Sequence, residues 1–577
     1  MSLPLSRRRF LAAPLALAGC AGASPYFCRA TPPSSQRLVH ANGGEPSTLD
    51  PALLTGSNGD HVVATLLESL TSLHPITNQP AAALATHYVV EDAIRYTFFL
   101  RGHPSPRGNR LPNSDSLPAE FTGGRASPPD RKPALWSDGT PVTAHDFVYA
   151  WRRLLNPAMG GSLGFYLAPI RNADEVSKGT KPPEALAVRA AGDFALEFQL
   201  SAPYPLFVKL LWQPFLAAVP RHAVEAARKS DRPSAWTDPG TYLSSGPFLL
   251  REWARYDRVV VTRNPRYWDA GAVRLSQIEF LPIADGTANL HLYRAGVSQS
   301  MHPRQIPQAF IPALNGKKDF HTATAYRSTW YDFDVKREPL DRLPVRYAFS
   351  LATDRAAIAS FLCERHRAAT GIIPPMPGYP SRSSLVVSLD NRKLDLLGFD
   401  PRAARELFAR EGVRGLSMEL TVPIRNGSRE VARIVQSQWR ENLGVNLRLR
   451  EVEETTWEQN AIHAEYRNAI EDSWTAFYED PYDFLVEFGP AHYVATTWTD
   501  PAFDTALEAA NRLADADERS RALFACEEHI LRAMPAVPIS FETWAYFQAP
   551  YLRGMRPNPF GASIFKYAWI DTHWRPS

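Results

Sequence analysis

At 577 residues the chain exceeds what one hydrophobic core can organise, so several domains are expected. Hydrophobic residues at 45% and charged residues at 21% exclude a disordered polymer. With 63 basic against 60 acidic side chains and a formal net charge of +3, the overall balance gives no reason to expect nucleic acid or an anionic surface as the partner.

The segment SRRRFLAAPLALAGCAGAS (6–24) has the layout of an export signal. Arg7, Arg8 and Arg9 form its charged region, and Phe10 to Ala18 an apolar run well short of the roughly 20 residues that span a bilayer. Ser6-Arg7-Arg8-Arg9-Phe10-Leu11 resembles the twin-arginine motif. Leu17-Ala18-Gly19-Cys20 resembles a bacterial lipobox, in which Cys20 receives lipid and becomes the mature N-terminus. The alternative is cleavage after Ala23 and a free periplasmic product; both readings export the chain. Residues 1–23 are therefore assigned to the signal and the Pro- and Ser-containing 24–36 to a tether. No later segment is apolar enough to be a transmembrane helix.

Residues 102–134 carry seven prolines and almost no apolar periodicity, which predicts a surface excursion without a core. Thr143 and Asp146 fit a capping box, after which Phe147, Val148, Trp151, Leu154 and Leu155 recur at helical spacing until Asn156-Pro157. Val431, Ile434, Val435, Gln438, Trp439 and Leu443 trace a second helix, closed by Gly444. Directly after it, Val445, Leu447 and Leu449 alternate with Asn446, Arg448 and Arg450 as a half-buried strand. Amphipathic helices fit 501–515 and 517–533. Helices feeding into strands predict a layered, mixed α/β architecture. Cys28, Cys363 and Cys526 remain once Cys20 is given to the signal, an odd set without metal-ligand spacing. Cys363 and Cys526 read as small buried hydrophobes, and neither a metal nor a cofactor is expected. The 14 tryptophans and 21 tyrosines suit cores and ligand pockets alike.

Taken in order, a series of motifs resembles one family. Glu45-Pro46-Ser47-Thr48-Leu49-Asp50-Pro51 opens it, and Trp136-Ser137-Asp138-Gly139-Thr140-Pro141 continues through Val142 to Tyr149. Ser245-Gly246-Pro247-Phe248, Asn264-Pro265-Arg266-Tyr267-Trp268-Asp269 and Tyr293-Arg294-Ala295-Gly296 follow. Pro339-Leu340-Asp341 with Val345-Arg346-Tyr347-Ala348, Thr353-Asp354-Arg355, Tyr478-Glu479-Asp480-Pro481 and Met534 to Pro538 complete the series. On these residues the chain, over about 37–577, resembles the large solute-binding proteins of oligopeptide, dipeptide and nickel ABC importers. The motifs themselves read as structural. Residues 136–141 form a strand end, a turn with Gly139 at positive φ and a helix start at Pro141. Asn264-Pro265 is a turn with Tyr267 and Trp268 packed beneath.

The resemblance implies a type II periplasmic-binding-protein fold of two hinged lobes with an extra domain on the first lobe. The first lobe would comprise 37–67, 221–292 and 545–577, the extra domain 68–220 and the second lobe 293–544. It also implies a monomer that captures a peptide or peptide-like ligand in the interlobe cleft and delivers it to ABC importer permease subunits. Peptide binders of this family pair an extended ligand with short strands from each lobe. By the family pattern these would be Thr55-Gly56-Ser57 and Ser473-Trp474-Thr475-Ala476, with Trp474 serving either as ligand wall or as core. Two departures stand out. Phe477 occupies the position whose acid pairs with a ligand's α-ammonium, and can offer a cation–π contact of about 0.5–2 kcal/mol in place of an ion pair. Glu479 or Asp480 could substitute, although Asp480 before Pro481 reads as a turn residue. Glu471 stands where some members place an Arg for the ligand carboxylate. Both changes point away from a standard zwitterionic di- or tripeptide, towards a longer, blocked or different solute.

An enzyme is not expected, since GxSxG, HExxH, P-loop and GxGxxG patterns are missing and His61, His74, His87, His145 and His222 are isolated in sequence. A periplasmic hydrolase, a binder of non-peptide solutes and a ligand sensor without a transport partner are the competing readings.

Overall fold

The computed structural model describes residues 24–54, 57–303, 306–362, 366–425, 427–453, 456–457, 460–461, 464–489, 496–556 and 558–576. Three sheets organise them. The first has the order Ser300–Met301, Arg37–Ala41, Gln277–Leu281, Arg258–Arg263, Phe248–Ala254, with Arg37–Ala41 parallel to both its neighbours. The second is antiparallel and runs Asn109–Arg110, Ala85–Glu91, Arg95–Leu100, Ala195–Gln199, Val188–Ala190. The third is mixed and six-stranded, in the order His366–Ala368, Ala536–Phe547, Phe320–Phe333, Ala469–Thr475, Ser417–Pro423, Asn446–Val452.

Two strands of the third sheet are unusually long. Phe320–Phe333 pairs antiparallel with Ala536–Phe547 from Phe320↔Phe547 to Asp332↔Ala536. At one end this pair abuts the first sheet, where Gln548 bridges to Ser300 and donates its N–H to the Asp319 carbonyl at 3.1 Å. At the other end it forms the middle of the third sheet. The chain thus crosses between the lobes at the start of one strand and the end of the other, which defines the hinge.

Locally coded elements form where their capping chemistry dictates. Helix Ala144–Leu154 starts at Thr143, whose N–H is held by the Asp146 carboxylate at 2.9 Å. Helix Ser428–Leu443 ends at Gly444 in the left-handed region, φ +69°, and runs into strand Asn446–Val452. Helices Pro501–Asn511 and Ala516–Ala533 are capped by Asp500 and Asp515. Gly139 turns at φ +98°, but Pro141 lies in a bridge with Leu135, and the helix waits for Ala144. Tyr267 and Trp268 are buried below the Asn264 turn and both donate to the buried Glu68 carboxylate. Cys526 is buried, whereas Cys363 lies outside the described residues, as does Cys20.

Three sequence expectations need correction. Strand Ser300–Met301 belongs to the first sheet, so the second lobe does not begin as early as 293, and strand Ala536–Phe547 runs past 544. Residues 24–28, expected within a tether, are docked: Tyr26 and Cys28 are buried, and the Asp319 carboxylate accepts the N–H groups of Phe27 and Cys28 at 2.8 and 2.9 Å. The Pro-rich segment is not an idle loop. Phe121 is fully buried in a cluster with Leu117, Ala272 and Tyr567, its ring edge-on to Tyr567 at 6.0 Å. Glu120 pairs with Arg556 at 3.0 Å, and Asp130 with the buried Arg101 at 3.5 Å.

Phe121→Ala should therefore lower unfolding stability by about 3–5 kcal/mol, the usual effect of truncating a buried phenylalanine. Denaturant titration measures it; a midpoint unchanged from wild type would show that the segment packs nothing of consequence.

Candidate functional site

Strand Ala469–Thr475 is the element around which the site is built. Along one edge it pairs with Phe320–Phe333 over its whole length, from Phe333↔Ala469 to Arg327↔Thr475. On the other edge Ser417–Pro423 pairs with Ala469 and Ile470. The Trp457 indole then donates to the Glu471 carbonyl at 2.7 Å. Past that point no described strand pairs with this edge. Strand amides alternate between edges, and Ala476 donates towards the Tyr326 carbonyl at 2.8 Å. The backbone groups of Thr475 and the Ser473 carbonyl therefore face the open edge, while the Ser473 N–H is taken by Asp472 Oδ1 at 2.6 Å.

Side chains fix this edge and neutralise it. Arg327 donates to the Thr475 hydroxyl and the Ser473 hydroxyl, both at 2.6 Å, and pairs with Glu542 at 2.8 Å. Arg425 donates to Ser473 Oγ at 2.7 Å and pairs with Glu471 at 2.9 Å, while Ser428 Oγ donates to the same Glu471 oxygen at 2.6 Å. Glu471 is thus a buried, compensated anion. An arginine is present at this end of the strand after all, supplied by residue 425, which the sequence reading missed; a basic residue between the strand end and Asn426-Gly427 was the available signal. Behind the edge, Asp332 and Asp472 are buried and hydrogen-bonded to each other. Burial and their mutual repulsion hold the Asp332 carboxyl far above its ordinary range, and burial raises that of Asp472 to about 6.

The turn after the strand closes against the second-sheet domain. The ring of Phe477 lies 4.5 Å from Tyr166, 5.7 Å from Trp474 and 6.1 Å from Phe215, and its carbonyl accepts from Gln213 Nε2 at 2.9 Å. Tyr204 and Tyr478 join their hydroxyls at 2.6 Å, and Lys209 donates to the Glu479 carbonyl at 3.1 Å. Trp474 is 7% exposed and walls an interdomain cavity of about 280 Å³ with Tyr166, Tyr204, Tyr478, Tyr482 and Asp483.

Of the acids near the turn, Asp480 is buried against Arg519 at 3.0 Å and accepts the Tyr482 N–H at 2.8 Å, as a turn residue should. Glu479 is half-buried and accepts from Tyr326 Oη at 3.0 Å and Gln79 Nε2 at 3.4 Å. Asp483, which sequence reasoning did not single out, accepts the Phe477 N–H at 2.6 Å and the Trp474 indole N–H. Burial pushes its carboxyl up to about 8 against the pull of those donors.

Of the strand expected in the other lobe, Thr55 and Gly56 lie outside the described residues. Ser57 is not in a strand: it opens helix Ser57–Leu66, consistent with the liking of Ser, Asn and Asp for helix starts and with Asp60 in the first turn. Among the described residues no group of three or more His, Cys, Asp or Glu is arranged to hold a metal ion, and no helix is long and apolar enough to cross a membrane.

Residues 131–493 match the sequence profile of the bacterial extracellular solute-binding proteins, family 5 Middle. The chain belongs to this family. It is 28% identical over 558 residues to the periplasmic oligopeptide-binding protein OppA of Salmonella typhimurium, covering 93% of each chain. It is 26% identical over 550 residues to the periplasmic murein peptide-binding protein MppA of Escherichia coli, covering 93% of this chain and 94% of that protein. It is also 26% identical over 558 residues to the probable deoxycholate-binding periplasmic protein YgiS of E. coli, covering 94% and 95%. The solved structure of the E. coli murein tripeptide binding protein MppA superposes with a TM-score of 0.76 at 24% identity, covering 94% of this chain and 99% of that one. That of Haemophilus influenzae OppA in complex with RPPGFSPFR superposes with a TM-score of 0.75 at 22% identity, covering 94% and 100%. The fold is therefore the type II periplasmic-binding-protein fold, two hinged lobes with an extra domain on the first.

The Asp483 carboxyl has a testable signature. Its folded pKa of about 8 lies above the ordinary 3.8, so the stability it confers is complete below about pH 4 and is lost as pH rises towards 8. Asp483→Asn removes this term. Urea unfolding should show the variant gaining on the wild type between pH 4 and pH 8, and a difference independent of pH would contradict the assignment.

Proposed function

We propose that this protein is the exported substrate-binding component of an ABC importer, taking a peptide in the interlobe cleft and delivering it to the permease without chemical change. The open edge at Ser473 and Thr475 carries this reading. It offers main-chain donors and acceptors that an extended peptide satisfies whatever its side chains. Peptide-binding names among the relatives that match over nearly their whole length support it. Thr55, Gly56 and Ser57 would line the facing lobe, and Trp474, Thr475, Ala476 and Phe477 the near wall. We assign the first lobe to 37–67, 221–301 and 548–577, the extra domain to 68–220, and the second lobe to 302–547, so that strand Ser300–Met301 stays with the first sheet and strand Ala536–Phe547 with the third. The protein acts as a monomer, and lipid on Cys20 holds it at the membrane in the periplasm.

A second reading, a non-peptide solute, is favoured by the aromatic packing of Phe477 and by the bile-acid name of one relative. The ammonium anchor separates the two. With Phe477 in place of an acid, free and N-acetylated forms of one peptide should bind within about tenfold, roughly 1.4 kcal/mol. Calorimetry on the wild type and on Glu479→Gln tests this. A strong demand for the free amine that Glu479→Gln abolishes would move the anchor to Glu479. Failure of both peptides to bind would overturn the peptide assignment in favour of another solute.

A further inference from the structure

The docking of residues 24–28 gives the anchored end of the chain a defined position. Besides the bonds from Phe27 and Cys28 to Asp319, the Lys317 ammonium donates to the Ser24 carbonyl at 2.9 Å and the Lys318 N–H to the Pro25 carbonyl at 2.8 Å. Tyr26 packs edge-on against Trp574 at 5.5 Å. Next to this contact lies a groove of about 500 Å³ lined by Tyr26, Lys318, His321, Arg553 and Trp574, with no acidic residue in its lining. Lys318 and Arg553 are exposed, and neither is in an ion pair among the described residues. Arg29 and Arg575, close in sequence to Tyr26 and Trp574 of the lining, are exposed as well. Three residues lie between Cys20 and Ser24, and the four Cα steps reach at most about 14 Å. The face that bears Ser24 must then lie within that distance of a bilayer holding lipid on Cys20.

We propose that this groove is a membrane-facing headgroup site, in which Lys318 and Arg553 bind the phosphate of an anionic phospholipid from the leaflet that anchors Cys20. Half-buried Trp574, packed on the buried Tyr26, supplies an amphipathic ring of the kind that favours the depth of the headgroups, and the basic side chains add attraction to a negative surface. The orientation rests on the proposed lipidation of Cys20; the binding chemistry of the groove does not. Lys318 and His321 flank the start of one hinge strand and Gln548 and Ala549 the end of the other. The end of the strand pair that abuts the first sheet is thus the side turned towards the membrane.

The test uses the exported full chain carrying Cys20→Ser, which no acyl chain can retain, sedimented with vesicles of phosphatidylglycerol or of phosphatidylcholine. The protein should partition to phosphatidylglycerol, lose that preference as salt rises, and keep it when inorganic phosphate replaces chloride at equal ionic strength. Lys318→Gln with Arg553→Gln should weaken the partition about tenfold or more, while Lys229→Gln with Arg405→Gln, two exposed cations elsewhere, should leave it unchanged. Thermal unfolding checks that each variant is folded, and quenching by brominated phosphatidylglycerol should fall in Trp574→Phe. Equal binding to both vesicles, equal losses in the two double variants, or full displacement by inorganic phosphate would overturn the headgroup site. The mass of the exported wild-type chain tests the anchor separately. An unlipidated chain that still prefers phosphatidylglycerol supports the groove against the anchor, and a lipidated chain whose Cys20→Ser form shows no preference overturns the groove and leaves the anchor standing.

Discussion

The antiparallel pairing of Phe320–Phe333 with Ala536–Phe547 is the constraint on which the other features depend. One strand pair serves both as the bridge between the lobes and as the centre of the second-lobe sheet, so it places strand Ala469–Thr475 at a fixed distance from the hinge. Register shifts interrupt the ladder at Thr324/Ser328 and at Thr329/Trp330. There Arg327 turns its side chain across to Ser473, Thr475 and Glu542. Bulges of this kind re-aim a side chain next to a site, and here the re-aimed guanidinium holds both hydroxyls of the open edge.

The electrostatic logic of that edge follows. An extended ligand bound through its main chain must not meet uncompensated charge on the floor beneath it, because a desolvated lone ion costs several kcal/mol. Arg327 with Glu542 and Arg425 with Glu471 form two internally balanced pairs, and burial raises the carboxyls of Asp332 and Asp472, which are hydrogen-bonded to each other. The floor therefore presents hydroxyls and amides. Charge discrimination is left to the rim, where Glu479 and the aromatic cluster of Phe477 meet the extra domain. Tyr204 to Tyr478, Gln213 to Phe477 and Lys209 to Glu479 are contacts between opposed domains, so they bias the equilibrium towards closure and must part when the cleft opens.

Much of the fold was legible because its signals are local. The Thr143–Asp146 box, the Gly444 stop and the alternation after it act within a few residues, and each produced the element expected. The Pro-rich segment misled because its burial rests on single residues, Leu117 and Phe121, whose partners Arg556 and Tyr567 lie more than four hundred positions away; no periodicity records such a contact. At the site, the family pattern pointed to a strand at 473–476, which overlaps the end of strand Ala469–Thr475. Arg425 and Asp483 could not, since they reach Glu471 and Phe477 only through the tertiary fold. The docking of residues 24–28 was hidden likewise: a short Pro- and Ser-containing stretch reads as linker until Asp319, nearly three hundred residues on, is seen to bind its backbone.

The central claim is that ligand adds a strand to the open edge of Ala469–Thr475. Amide hydrogen exchange of the whole protein, with and without a saturating bound peptide, addresses it most directly. The account predicts that the Thr475 amide slows by at least about tenfold on binding, while the Ser473 amide, held by Asp472, and the Trp474 and Ala476 amides, already paired towards Phe320–Phe333, change little. Protection confined to other parts of the cleft, with residues 471–477 unaltered in the complex, would contradict it.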